Sequence, residues 1–132
     1  MIVDDYAHHP SEVNATLTAA RNGWRKRLIA VFQPHLYSRT KDFYIDFAKA
    51  LSQADLVIIT EIYPAREKPI NNVTSKLITK QLAKINCSNF IETKLEKIPE
   101  TINKIKNTND LIIFMGAGNI NSKIEETIEL IK

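Results

Sequence analysis

The stretch LIAVFQPH, Leu28 to His35, decides the fold. Five apolar residues in a row, without polar alternation, describe a strand covered on both faces. Gln33-Pro34-His35 then breaks the run. A strand buried on both sides needs helices above and below it, which is the arrangement of a parallel α/β sheet. The same signature returns at Leu56–Ile59 (LVII) and at Leu111–Met115 (LIIFM). A short first strand is expected at Ile2 to Asp4, and a weak fourth at Phe90 and Ile91.

Helical patterns fill the spaces between. Pro10 opens a helix to about Arg21, since proline suits a first helical position, and Gly23 reads as its stop signal. Phe43, Phe47 and Leu51 recur every four residues in a second helix, about Ser38 to Gln53. Ser75 is a candidate cap for a third helix reaching about Ile85. Ile98, Ile102 and Ile105 mark a fourth, and Ile124, Ile128 and Ile131 a fifth. Strands alternating with helices predict a Rossmann-like three-layer α/β sandwich. Its sheet is expected to be mainly parallel, of five to six strands, with helices on both faces. The direction of the weak fourth strand is open at this level.

At 132 residues, residues 1–132 read as one domain. A hydrophobic share of 44% and a charged share of 25% are ordinary globular values, so a real core is affordable. The net charge of +3 is mild and its cations are spread out, which argues against nucleic acid. The dense run Arg25-Lys26-Arg27 reads as a solvated loop. Cys87 is the sole cysteine, so no internal disulfide can form, which fits a reducing compartment. No apolar run approaches the roughly 18 residues of a membrane span, and no signal pattern opens the chain. A cytoplasmic setting is expected.

In open parallel sheets, ligands bind beyond the carboxyl ends of the strands. The segments after strands one, two, three and five are DDYAHHP, QPHLYSRT, TEIYPARE and GAGNI. They carry all three histidines, three of the four tyrosines, and Arg39, Arg66, Glu61 and Glu67. That asymmetry predicts a site along one sheet edge. Each piece also has a plain structural reading. Asp4-Asp5 can end a strand, one of His8 and His9 can cap or pack, Arg39 can start a helix, and Gly116 and Gly118 can form a turn.

Three specific chemistries fit poorly. A dinucleotide fold wants G-x-G-x-x-G after its first strand, whereas G-x-G stands here after the last. A phosphoacceptor domain needs an Asp after its third strand and a Lys after its fifth, where this chain has Thr60-Glu61 and Gly116. His8, His35 and Asp5 have zinc-binding atoms but no diagnostic spacing, so no metal site is expected.

The ordered motifs DDYAHHPSEV, AARNGW, VFQPHLYSRTKDF, EIYPARE and GAGNI resemble the C-terminal domain of the Mur ligases. DDYAHHP and FQPHLYSRT resemble the alanine-adding group among them, the UDP-N-acetylmuramate–L-alanine ligases. The likeness covers nearly the whole chain, although Lys76 to Asn109 adds nothing to it. It implies a three-domain cytoplasmic enzyme of peptidoglycan synthesis. The N-terminal domain holds the UDP-sugar, and the central domain carries the phosphate-binding loop. The C-terminal domain closes over ATP and binds the amino acid. ATP converts the UDP-N-acetylmuramate carboxylate to an acyl phosphate, L-alanine attacks it, and Mg2+ offsets the crowded charge.

By the same resemblance, Asp5, Tyr6 and His8 are expected near the nucleotide. His35, Arg39, Tyr63, Arg66, Glu67, Gly116 and Gly118 are expected around the amino acid and its anionic groups. Many relatives have Arg where this chain has Leu36, which puts one anion contact in doubt. No G-x-x-x-x-G-K-[ST] occurs in the chain, and Met1 stands directly before a strand. It therefore reads as a C-terminal fragment lacking the N-terminal and central ATP-binding domains. Such a fragment is expected to fold without ligating, and to hold no cofactor alone. Two other readings stay open: a free-standing α/β module for a small anion or nucleotide, and a structural or partner-binding domain.

Overall fold

A computed structural model describes residues 1–132. Strands β1 (Ile2–Asp5), β2 (Leu28–Phe32), β3 (Leu56–Ile59), β4 (Phe90–Glu92) and β5 (Leu111–Met115) form one sheet in the order β1-β5-β2-β3-β4. Every pairing is parallel, β4 included, which settles the direction of the weak strand. Helices α1 (Pro10–Gly23), α2 (Tyr37–Leu51), α3 (Lys76–Lys84), α4 (Ile98–Ile105) and α5 (Ser122–Ile131) alternate with the strands. A 3-10 turn at Leu95–Lys97 precedes α4.

Side-chain alternation splits the apolar runs between two cores. Leu28, Ala30 and Phe32 pack with Leu111, Ile113 and Met115 beneath α1, α2 and α3. Ile29, Val31, Ile58, Ile112 and Phe114 face the other way, onto Ile98 and Ile102 of α4 and onto Ile120. The register keeps this parity, because Ala30 lies opposite both Ile113 and Val57. β2 and β5 are buried at every position, as their unbroken apolar sequence requires. Each fully buried phenylalanine, such as Phe32, Phe47 or Phe114, contributes about 1.5–3 kcal/mol over leaving it exposed.

Three local expectations need correction. Gly23 is the last residue of α1, and the chain leaves the helix at Trp24 in an extended conformation. Ser75 is already helical and its side chain caps nothing; Thr74 Oγ1 instead accepts from Lys76 N at 3.2 Å. Arg27 is not a solvated loop residue. Its guanidinium holds both oxygens of the buried Asp110, at 3.1 and 2.7 Å, and the carbonyl of Ile105.

Candidate functional site

The rim is built by backbone bonds that continue past the strand ends. Gly116 N donates to Asp5 O at 3.3 Å, and Gln33 N donates to Met115 O at 3.0 Å. Tyr63 N donates to Pro34 O at 2.8 Å, and Leu36 N donates to Tyr63 O at 2.9 Å. His35 and Tyr63 thus form a parallel bridge outside the sheet. The segments after β1, β2, β3 and β5 are stitched into one edge by these bonds.

Their rings form a row. Tyr6 meets His8 edge-on at 5.3 Å between centroids, and His8 meets His35 edge-on at 5.8 Å. His35 stacks on Tyr63 at 5.5 Å with only 27° between planes. Tyr63 in turn packs against Gly118, where a Cβ would stand 2.5 Å from the Tyr63 Cγ. The outer end is open, with Tyr6 69% exposed.

The adjacent histidines separate by role. His8 Nδ1 donates to Tyr6 O at 2.9 Å; a carbonyl only accepts, so this nitrogen carries the proton. His9 caps α1, with its Nδ1 accepting from Ser11 N at 3.4 Å while Glu12 Oε1 accepts from His9 N at 3.0 Å. Asp5 is internally satisfied. Its oxygens accept from Ala7 N at 2.9 Å and from Thr16 Oγ1 of α1 at 3.0 Å.

Unmet polar atoms mark the middle of the rim. His35 Nδ1 and Arg39 Nη1 are buried with no hydrogen-bond partner. Burial, followed by the nearby Arg39 and His8 charges, lowers the His35 pKa below its ordinary value, and Glu67 opposes this only in part. Arg39 occupies the first turn of α2, where a cation opposes the helix dipole. The buried guanidinium nitrogen of Arg39 at a helix start therefore suits an incoming anion, and the neutral His35 ring adds a donor there in the tautomer that protonates Nδ1.

Glu67 is committed nearby. Its carboxylate accepts from Ser38 N at 3.1 Å and from the Ser38 hydroxyl. It supplies the cap that Leu36, the residue before α2, cannot. These Ser38 bonds hold the Glu67 pKa below its ordinary value. Arg66 is exposed and makes no ion pair or hydrogen bond. The rim thus brings together Asp5, Tyr6, His8, His35, Arg39, Tyr63, Gly116 and Gly118; Glu67 lies behind it, and Arg66 stands apart.

Sequence reasoning passed over Gln33, Thr16 and Ser38. Gln33 had a usable signal, an amide directly after a fully apolar strand; Thr16 and Ser38 had none. Between α1 and α2 lies a groove of about 360 Å3, lined by residues including His9, Asn14, Phe43 and Asp46. It flanks the rim without holding any expected site residue.

The family model described as "Mur ligase, glutamate ligase domain" matches residues 1–118. The chain belongs to this Mur ligase family. Among its relatives, the UDP-N-acetylmuramate–L-alanine ligase of Geotalea daltonii is 40% identical over the whole chain. That of Chlorobaculum parvum is 45% identical over 91% of the chain. The chain spans 29% and 26% of the length of these two Mur ligases. Its fold matches the crystal structure of the Thermotoga maritima UDP-N-acetylmuramate–alanine ligase with a TM-score of 0.70 and 31% identity. That match covers 97% of this chain and 26% of the other. The murein peptide ligase of Psychrobacter arcticus shares the fold at a TM-score of 0.77 and 19% identity, over 98% of this chain and 27% of that one.

Proposed function

We propose that this chain is the C-terminal domain of an ATP-dependent ligase joining L-alanine to UDP-N-acetylmuramate in peptidoglycan synthesis. Its rim is one wall of a cleft whose other wall belongs to the N-terminal and central domains of the same enzyme. The observation that carries the reading is the pair of buried, unpartnered nitrogens, His35 Nδ1 and Arg39 Nη1, at the centre of a four-ring row. Such a pair suits the carboxylate of an amino acid or a phosphate oxygen. Kinship with alanine-adding ligases selects L-alanine among amino acids.

Asp5, Tyr6 and His8 stand at the open end of the row, and this end faces the nucleotide. His35, Arg39, Tyr63 and the Gly116–Gly118 turn orient the amino acid. Arg66, exposed and unpaired, is free to reach an anion on closure, while Glu67 acts by fixing the start of α2. The setting is cytoplasmic; no helix of the chain is long and apolar enough to cross a membrane.

The residues here do not form a closed all-protein cation cage, and magnesium, which binds through one or two carboxylates together with substrate phosphates, would need the other domains to complete its site. No group of three or more His, Cys, Asp or Glu side chains is placed to hold a metal, and both Asp5 oxygens already accept hydrogen bonds. The triphosphate likewise finds no phosphate loop in this chain. Both requirements fall to the other domains.

Joined to those domains, the protein is expected to release phosphate from ATP only when UDP-N-acetylmuramate and L-alanine are both present. His8→Ala in that protein is expected to lower turnover at least about tenfold, with the melting temperature unchanged. Unaltered turnover would count against the reading, as would ligation by the 132-residue chain alone.

A further inference from the structure

In a parallel α/β sheet the usual ligand crevice opens between neighbouring strands whose following helices go to opposite faces. Three neighbouring pairs meet this description here, β1 with β5, β5 with β2, and β3 with β4; the central one lies between β2, followed by α2 on one face, and β5, followed by α5 on the other. The crevice between β2 and β5 is filled. The Gln33 side chain, 2% exposed, occupies it. Its Oε1 accepts from Ile120 N at 3.1 Å, and its Nε2 donates to Asn119 Oδ1 at 2.7 Å. The orientation of the amide is fixed, because a backbone N–H can face only the oxygen. One side chain therefore ties the end of β2 to the turn that launches α5.

This tie bears on Gly118, the residue beside Asn119. A Cβ there would lie 2.7 Å from Gln33 Oε1 and 2.5 Å from Tyr63 Cγ. The Gln33 amide and the Tyr63 ring thus both crowd the face of Gly118 that a side chain would occupy. Tyr63 stacks on His35, whose Nδ1 is one of the two unpartnered atoms of the rim.

We propose that Gln33 is a positioning residue of the site: by filling the β2–β5 crevice and pinning the Gly116–Asn119 turn, it sets the planes of Tyr63 and His35. It touches no ligand itself. The proposal rests on the reading of this rim as the amino-acid and anion site, but its structural half can be tested without that reading.

Gln33→Met keeps the size of the side chain and removes both amide bonds. In NMR spectra of the 132-residue chain, the Tyr63 and His35 ring signals are expected to leave their wild-type positions. Those of the Phe32–Phe47 pair in the core should stay. Unmoved Tyr63 and His35 signals would overturn the proposal, as would equal movement of both ring pairs, which marks a merely structural residue. Should Gln33→Met fail to fold, Asn119→Ala, at an exposed position, cuts one of the two bonds and is expected to move the same rim signals. Unmoved signals there would overturn the proposal equally.

In the longer ligase, Gln33→Met is expected to raise the KM for L-alanine at least about tenfold, since ångström misplacements carry such costs, and to leave the KM for ATP unchanged. An unchanged alanine KM in an active enzyme overturns the proposal. A wild-type longer protein that does not ligate overturns the proposed function instead, and the ring signals then decide the role of Gln33.

Discussion

Leu36 is held at φ 74° and ψ 138°, a backbone state that glycine adopts readily and other residues do not. Such a state costs about 1–3 kcal/mol and persists only where its surroundings enforce it. They do so here: Leu36 N donates to Tyr63 O, and Leu36 O accepts from both Thr40 N and Thr40 Oγ1. The strain falls between His35 and Arg39, the two rim residues with unpartnered nitrogens. Leu36→Gly is therefore expected to be more stable than Leu36→Ala by about 1 kcal/mol, reversing the order usual outside turns, in urea denaturation. At the same scale, His35 links stability to pH. Folding lowers its pKa, so the unfolded chain binds more protons once the pH drops below the ordinary value of 6.5. Stability is full above that value and declines as the pH falls from it toward the folded value. Further acid loss follows below about 4.5, as Glu12, Glu67 and Glu92, all with lowered pKa values, lose charge. Urea midpoints measured from pH 8 to pH 5 are expected to fall, and His35→Gln should flatten that part of the curve.

Among the elements, the strands were the most legible in the sequence. Leu28–Phe32, Leu56–Ile59 and Leu111–Met115 have the expected ends, because an apolar run without polar alternation belongs in a sheet covered on both faces; only Leu56, at the start of β3, is half-buried. Helix ends were less legible where the cap comes from elsewhere in the chain. α2 takes its cap from Glu67, some thirty residues away, and no local motif announces it. The opposite edge of the sheet shows the same effect. Arg27, read as part of a basic loop, reaches Asp110 before β5, a partner 83 positions distant. Asp110 is almost fully buried, and burial alone would raise its pKa. The hydrogen bonds from Arg27 and Asn107 outweigh this and hold it low. Arg27→Ala would leave that carboxylate buried and largely unpaired. A loss of about 2–3 kcal/mol in unfolding free energy is expected, reduced from the fully buried case because Arg27 is partly exposed. A loss below about 0.5 kcal/mol would show that Asp110 finds other partners.

At the scale of the whole molecule, two separate cores clamp one parallel sheet, leaving its carboxyl edge as the place where chemistry gathers. The strand-end rule placed Asp5, His35, Tyr63 and Gly116 on one edge, and they stand there together. Which atoms lack partners, and which acid serves as a cap, needed coordinates: both depend on side chains meeting across the sheet, and spacing along the chain carries no record of that. The central claim is that this edge is the amino-acid-facing wall of a ligase cleft, with Arg39 at its middle. Its most direct test is the steady-state rate of the longer ligase carrying Arg39→Met, measured against L-alanine concentration. The account predicts a KM for L-alanine raised about 30-fold or more, the loss of a charge-assisted contact of about 2 kcal/mol or more, with the fold intact. Kinetics equal to those of the wild type, for L-alanine and ATP alike, would contradict it.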